Sequence, residues 1–122
     1  MALAAYVFIV LTALKFFFIF YLETLVTDSD KTSATFGMDK LELQRESVQK
    51  LFKNQGVYNL LIGILLLVST FVLHSHITVA LLLIYIIGVA AYGGYSSGIQ
   101  IFFKQSPLAI LALIFMMAAG LL

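Results

Sequence analysis

The side chains able to do chemistry in this chain are few, and their spacing is specific. One run, Asn54-Gln55-Gly56-Val57-Tyr58-Asn59, gathers three amides and a phenol. On a helix Asn54 lies under Tyr58 and Gln55 under Asn59, so these four hydrogen-bonding groups share one broad face. Glu23 is the carboxylate that lies within the long apolar stretches, and Lys15 precedes it on the same stretch. Eight residues of helix separate that pair by about 12 Å, too far for direct contact along one helix. Farther on, Tyr85, Tyr92, Ser96 and Gln100 fall within about a third of a helix circumference. Such a set could bind a small amphiphile or an ion. With Glu23 as acid or base it could act on a lipid or quinone. It could also be interhelical hydrogen-bond glue, worth about 0.6 kcal/mol per group. Lys15 is conspicuous, because a charge at mid-bilayer costs at least about 2.5–3.5 kcal/mol and must pair, lose its proton or line water.

Other chemistries are excluded or unsupported. The chain has no cysteine, so disulfides, thiolate metal sites and cysteine nucleophiles are ruled out. His74 and His76 flank one turn residue with no third ligand in view, and they read as loop residues, so no metal is expected. No phosphate-binding loop or nucleophile–base pair is present, and no cofactor is expected. A net charge of +1 offers no basic stripe for nucleic acid.

The elements that must position these groups follow from composition. Of 122 residues, 62% are hydrophobic and 11% charged, with a mean hydropathy of +1.08. A soluble domain carries about 25% charged residues. All the charges except Lys15 and Lys104 lie between Glu23 and Lys53. A bilayer-embedded chain tolerates that distribution and a soluble globule does not. Apolar stretches run over about 2–26, 54–73, 77–103 and 107–122. A helix of about 20 residues spans the roughly 30 Å hydrocarbon core, and lipid-exposed backbone must satisfy itself as helix. The spacing therefore predicts an all-α membrane protein, a single domain over 1–122 built as a four-transmembrane-helix bundle, the fourth span being short. The N-terminal stretch lacks a basic n-region and a small-residue cleavage site, and it reads as a retained helix.

The hydrophilic segment 27–53 divides in two. Residues 27–37 read as loop. From Asp39, with Glu42 three positions on, the pattern is a capping box followed by an amphipathic helix, either on the membrane surface or continuous with the second span. Ser106 before Pro107 reads as an N-cap with proline at the first helical position. Lys31, Lys40, Arg45, Lys50, Lys53 and Lys104 all lie in the first and third loops. The positive-inside rule then places 27–53 and 104–106 in the cytoplasm and both termini outside, in a multi-pass protein of the cell membrane. On that topology Glu23, Asn54, Gln55, Tyr58, Asn59, Tyr92, Ser96 and Gln100 converge on a polar pocket in the cytoplasmic half. Gly94 and Gly98 form a GxxxG spacing that permits close packing within the bundle, or a homodimer.

The run Tyr21-Leu22-Glu23, then Asn54-Gln55-Gly56-x-Tyr58-Asn59, Tyr92-Gly93, Gln100 and Pro107 resembles the domain-of-unknown-function 1304 family, small bacterial membrane proteins with four predicted helices. The resemblance covers essentially the whole chain. It departs at Lys15-Phe16, where the family often carries an acidic residue and a histidine. It implies the architecture and no activity. The function expected from the sequence is binding or transport of a small amphiphile or ion through the polar pocket, in contact with the bilayer and a small-molecule or lipid ligand. The alternatives are a membrane enzyme using Glu23 and an accessory protein with no ligand.

Overall fold

The structure is a computed structural model that describes residues 2–122, with the side chains of Gln100 and Ile101 outside the description. It is helical throughout, with no strand among the described residues. The first helix, α1 (Ala2–Phe20), continues into a π-helical turn, Tyr21–Leu25. Two short helices follow, α2 (Asp30–Phe36) and α3 (Lys40–Leu43). Then come α4 (Glu46–Phe71), α5 (His76–Ser97), α6 (Ile99–Gln105) and α7 (Pro107–Ala118). Three helical stretches, Ala2–Leu25, Glu46–Phe71 and His76–Ser97, are long and apolar enough to cross a membrane. Side chains such as Leu3, Leu65, Leu81 and Ile84 are exposed on them. Apolar surface on that scale is tolerated against lipid and not in water.

Contacts divide the chain into two units. One is Leu14–Ile64; the other joins α1 up to Ala13 with Leu65–Leu122. In the second unit the buried positions are dominated by small and aliphatic residues: Ala5, Ile9 and Ala13 on α1, Ala80, Leu83 and Ala90 on α5, Ala109 and Ala112 on α7. Alanine at these contacts lets helix backbones approach where no hydrophobic force drives them together. Phe8 stacks on Phe115 at 5.4 Å and 3° between ring planes, fixing α1 to α7. Tyr6 and Phe71 lie 6.1 Å apart, joining α1 to the end of α4. The α4–α5 turn is short, and Ser75 caps α5 through its Oγ, which accepts from Thr78 N at 3.3 Å.

The third apolar stretch is not one continuous helix. Gly98 takes φ 120° and ψ 144°, a conformation open essentially to glycine alone, and separates α5 from α6. A Cβ on Gly94 would stand 2.9 Å from the Cβ of Phe102. Eight residues along a straight helix are about 12 Å apart, so α6 folds back onto the end of α5. Of the two GxxxG glycines, one accommodates Phe102 and the other makes the reversal.

The hydrophilic segment is more helical than its composition suggests. Thr27–Gly37, expected as loop, contains α2, capped by Ser29 Oγ accepting from Thr32 N at 3.1 Å and ended by Gly37 at φ 64°. Asp39 caps α3 by accepting from Leu41 N at 3.0 Å, but Glu42 pairs with Arg45 at 3.3 Å instead of closing a capping box. Of the two readings of the segment before residue 54, the structure takes the second. Helix α4 begins at Glu46 and runs without a break into the apolar stretch. Ser106 sits in the helical region of φ/ψ, and its Oγ donates back to Phe102 O at 2.7 Å, so it does not cap α7. Pro107 does occupy the first turn of α7.

Candidate functional site

Within the unit Leu14–Ile64, the π turn carries the carboxylate. A π-helical turn holds one residue more than an α turn, re-aims the side chains after it, and recurs at functional sites. Here it is closed by Val26 N donating to Tyr21 O at 3.1 Å, and it buries both Leu22 and Glu23 completely. The extra residue disturbs the carbonyl ladder, and threonine hydroxyls take over as donors. Thr27 Oγ1 donates to Glu23 O at 2.7 Å. Thr32 Oγ1, at the buried face of α2, lies 3.0 Å from Leu22 O and 2.8 Å from Val26 O. Thr24 Oγ1 donates to Lys53 O at 3.0 Å, joining the π turn to α4.

The side chain of Glu23 is held at both oxygens. Gln55 Nε2 donates to Oε2 and Asn59 Nδ2 donates to Oε1, each at 2.6 Å. Positions 55 and 59 are one helical turn apart, so a single face of α4 presents both amides. Gly56, between them, is buried and lets the backbones meet. A Cβ there would collide with Thr24 Oγ1 and come within 3.2 Å of Glu23 Cβ. Both donors are neutral, so the clamp gives each carboxylate oxygen a hydrogen bond without cancelling the charge. Three ion pairs lie away from the clamp, on exposed side chains: Lys40–Asp30, Arg45–Glu42 and Lys50–Glu46. At such exposure solvent screens each of them strongly.

The expected site residues separate into groups. Glu23, Gln55 and Asn59 are brought together by hydrogen bonds. Asn54 and Tyr58, on the same stretch of α4, are exposed. Lys15 is half-buried on α1 in the same unit. Tyr92 and Ser96 belong to the other unit, where both are exposed. Tyr92 lies 6.3 Å from Tyr95, ring to ring, and Ser96 Oγ is 3.4 Å from Ser97 Oγ. The side chain of Gln100 is outside the described residues. Among the described residues no group of three His, Cys, Asp or Glu side chains is arranged to hold a metal.

The threonines were not singled out by sequence, and Gly56 only as part of its motif. Thr27 and Thr32 sit in a segment whose Ser, Thr and Asp content reads as loop, and Thr24 sits at the end of the first apolar stretch. Thr27 and Thr32 find acceptors on the π turn, and Thr24 finds one on α4. Thr32→Val is expected to cost about 1–3 kcal/mol, since it deletes the hydroxyl that lies against the buried Leu22 carbonyl. Thr32→Ser is expected to lose much less. Thermal unfolding in lipid nanodiscs followed by circular dichroism checks the pair, and equal losses would contradict the hydroxyl's role.

Fold and site together define an all-helical protein with three helices fit to cross a membrane and a buried, amide-clamped glutamate. The family is shown by comparison: residues 10–117 match the model of a family described as protein of unknown function, DUF1304, and the chain belongs to that family. It is 54% identical over 105 residues to the uncharacterized protein YpaA of Lactococcus lactis subsp. lactis (strain IL1403), covering 85% of this chain and 88% of that protein. No solved structure matches the chain.

Proposed function

We propose that this is a four-span membrane protein that binds or transports a small amphiphile or ion, with Glu23 as the central binding group and Gln55 and Asn59 as its partners. The carrying observation is a completely buried carboxylate held by two neutral amides. Taking such a charge out of water costs several kcal/mol. Two charge-assisted hydrogen bonds return about 1.5–3 kcal/mol each, which offsets the cost without a clear surplus. A glutamine at position 23 would fill the same space and pair with the same amides at a smaller desolvation cost. Stability alone does not account for the charge, and an ionisable group inside a span is a functional candidate on that ground.

In this reading the fourth pass is α7, a short helix of about 18 Å that ends in a turn at Gly120. The basic residues Lys31, Lys40, Arg45, Lys50, Lys53 and Lys104 place the segments 27–53 and 104–106 in the cytoplasm and the termini outside. Glu23, the start of the apolar part of α4, and a ligand approaching past Asn54 and Tyr58 would then meet at the cytoplasmic side.

The test is binding and stability on one sample. Small cationic, neutral and anionic amphiphiles, and sodium and potassium ions, are titrated calorimetrically into wild-type and Glu23→Gln protein in nanodiscs. At least one of them is expected to bind the wild type and to lose tenfold or more in Glu23→Gln, with the unfolding temperature little changed. If every probe binds both proteins alike, the carboxylate is not a binding group.

A further inference from the structure

The sign of ligand that the Glu23 site takes follows from its charge and from the acceptor positions left open on the carboxylate. The hydroxyl protons around the carboxylate are committed to backbone: Thr24 to Lys53 O, Thr27 to Glu23 O, and Thr32 to Leu22 O and Val26 O. The amide nitrogens of Gln55 and Asn59 donate to the carboxylate itself. Each amide spends one N–H on the carboxylate and keeps a second N–H and a carbonyl oxygen. An ionised carboxylate only accepts, with about four lone-pair positions of which the clamp uses two. The site thus centres on one negative charge whose oxygens keep open acceptor positions. An anion would meet repulsion from that charge; a neutral ligand would gain no charge complementarity.

The two clamp residues also differ in a way that supplies an approach. Asn59 is half-buried, whereas Gln55 is exposed although its amide covers Oε2 of a buried carboxylate. Gln55 has one more rotatable bond than Asn59 and lies on the open side. Rotating it away uncovers one carboxylate oxygen while Asn59 keeps the other in place.

From this, and resting on the reading of Glu23 as a binding group, we infer that the ligand class is a small organic cation bearing N–H donors, a primary alkylammonium, which enters by displacing the Gln55 amide from Glu23 Oε2. The ammonium takes the position of Gln55 Nε2 and forms a charge-assisted bond that the neutral amide only approximates. Asn59 remains the positioning residue.

The experiment uses three probes of equal chain length and different charge: hexylammonium, hexanol and hexanoate. Each is titrated at neutral pH and fixed ionic strength into the full chain in nanodiscs of zwitterionic lipid, with empty nanodiscs subtracted. Hexylammonium is expected to bind at least tenfold more tightly than the other two. That preference is expected to vanish in Glu23→Gln and to survive in Gln55→Ala, whose binding is at least as tight as wild type. Hexanol or hexanoate binding as tightly as hexylammonium, or a preference that persists in Glu23→Gln, overturns the cation assignment. If the tighter-binding hexanol or hexanoate still depends on Glu23, the site stands and only its ligand class falls. Should none of the three show Glu23-dependent binding, the cation assignment is overturned. The wider panel of amphiphiles and ions then decides the site reading separately. A Gln55→Ala protein that loses hexylammonium tenfold overturns the displacement route.

Discussion

Gly56→Val is expected to destabilise the protein by about 1–3 kcal/mol, the range for forcing extra carbon into a closed contact. Helix propensity alone gives the opposite sign, since glycine in a helix interior costs about 1 kcal/mol relative to alanine. The structure reverses it locally. A Cβ at position 56 collides with Thr24 Oγ1 and presses on Thr24 Cβ and Glu23 Cβ at 3.2 Å. Thr24 cannot turn aside without giving up its bond to Lys53 O, so α4 must withdraw from the π turn. Gly88 on α5 is the internal control, because a Cβ there meets nothing within 4 Å. Gly88→Ala is expected to be neutral or stabilising by up to about 1 kcal/mol. Thermal unfolding by circular dichroism in nanodiscs reads both, and equal responses at the two glycines would contradict the close approach at Gly56.

Asn59→Leu carries the second large effect. It removes the donor to Glu23 Oε1 and leaves half of a buried carboxylate without a partner, at a cost of about 2–3 kcal/mol. Gln55→Leu removes an equally short bond yet is expected to cost less, because position 55 is exposed and water can replace the amide. Introducing Glu23→Gln into Asn59→Leu is expected to recover at least about 1 kcal/mol of the loss, the non-additivity that marks two groups in one network. Strict additivity in that double-mutant cycle would mean that Asn59 and Glu23 do not interact.

Much of this arrangement is legible in the sequence, and the parts that are not share a cause. The long apolar stretches mark α1, α4 and α5 because hydropathy reports which backbone can lie in lipid. Gln55 and Asn59 can be placed on one face because their spacing is one helical turn, and Glu23 stands out as a carboxylate in apolar surroundings. Hydropathy is blind to other things. It marks where lipid begins rather than where a helix begins, so α4 starts at Glu46, among charges, well before residue 54. It also runs on through Ile99, Phe102 and Phe103, which conceals the reversal at Gly98. The π turn leaves no compositional trace. The Thr32 bonds depend on α2, and the Thr24 bond on α4, coming close to it, which is tertiary information. Tyr92 and Ser96 show the limit from the other side. Their helical spacing with Gln100 reads as one polar face on a straight helix, and the break at Gly98 separates Gln100 from that register.

The most direct measurement is an experimental structure of the full chain in lipid nanodiscs, determined with and without hexylammonium and inspected at Glu23. The expected result without the probe is Gln55 and Asn59 each within hydrogen-bond distance of a Glu23 oxygen, with Tyr21–Leu25 in a π turn against Gly56. With it, density is expected beside Oε2 and the Gln55 amide turned away. A Glu23 side chain pointing into lipid or water, with the amides of Gln55 and Asn59 bonded elsewhere, would contradict the account at its centre.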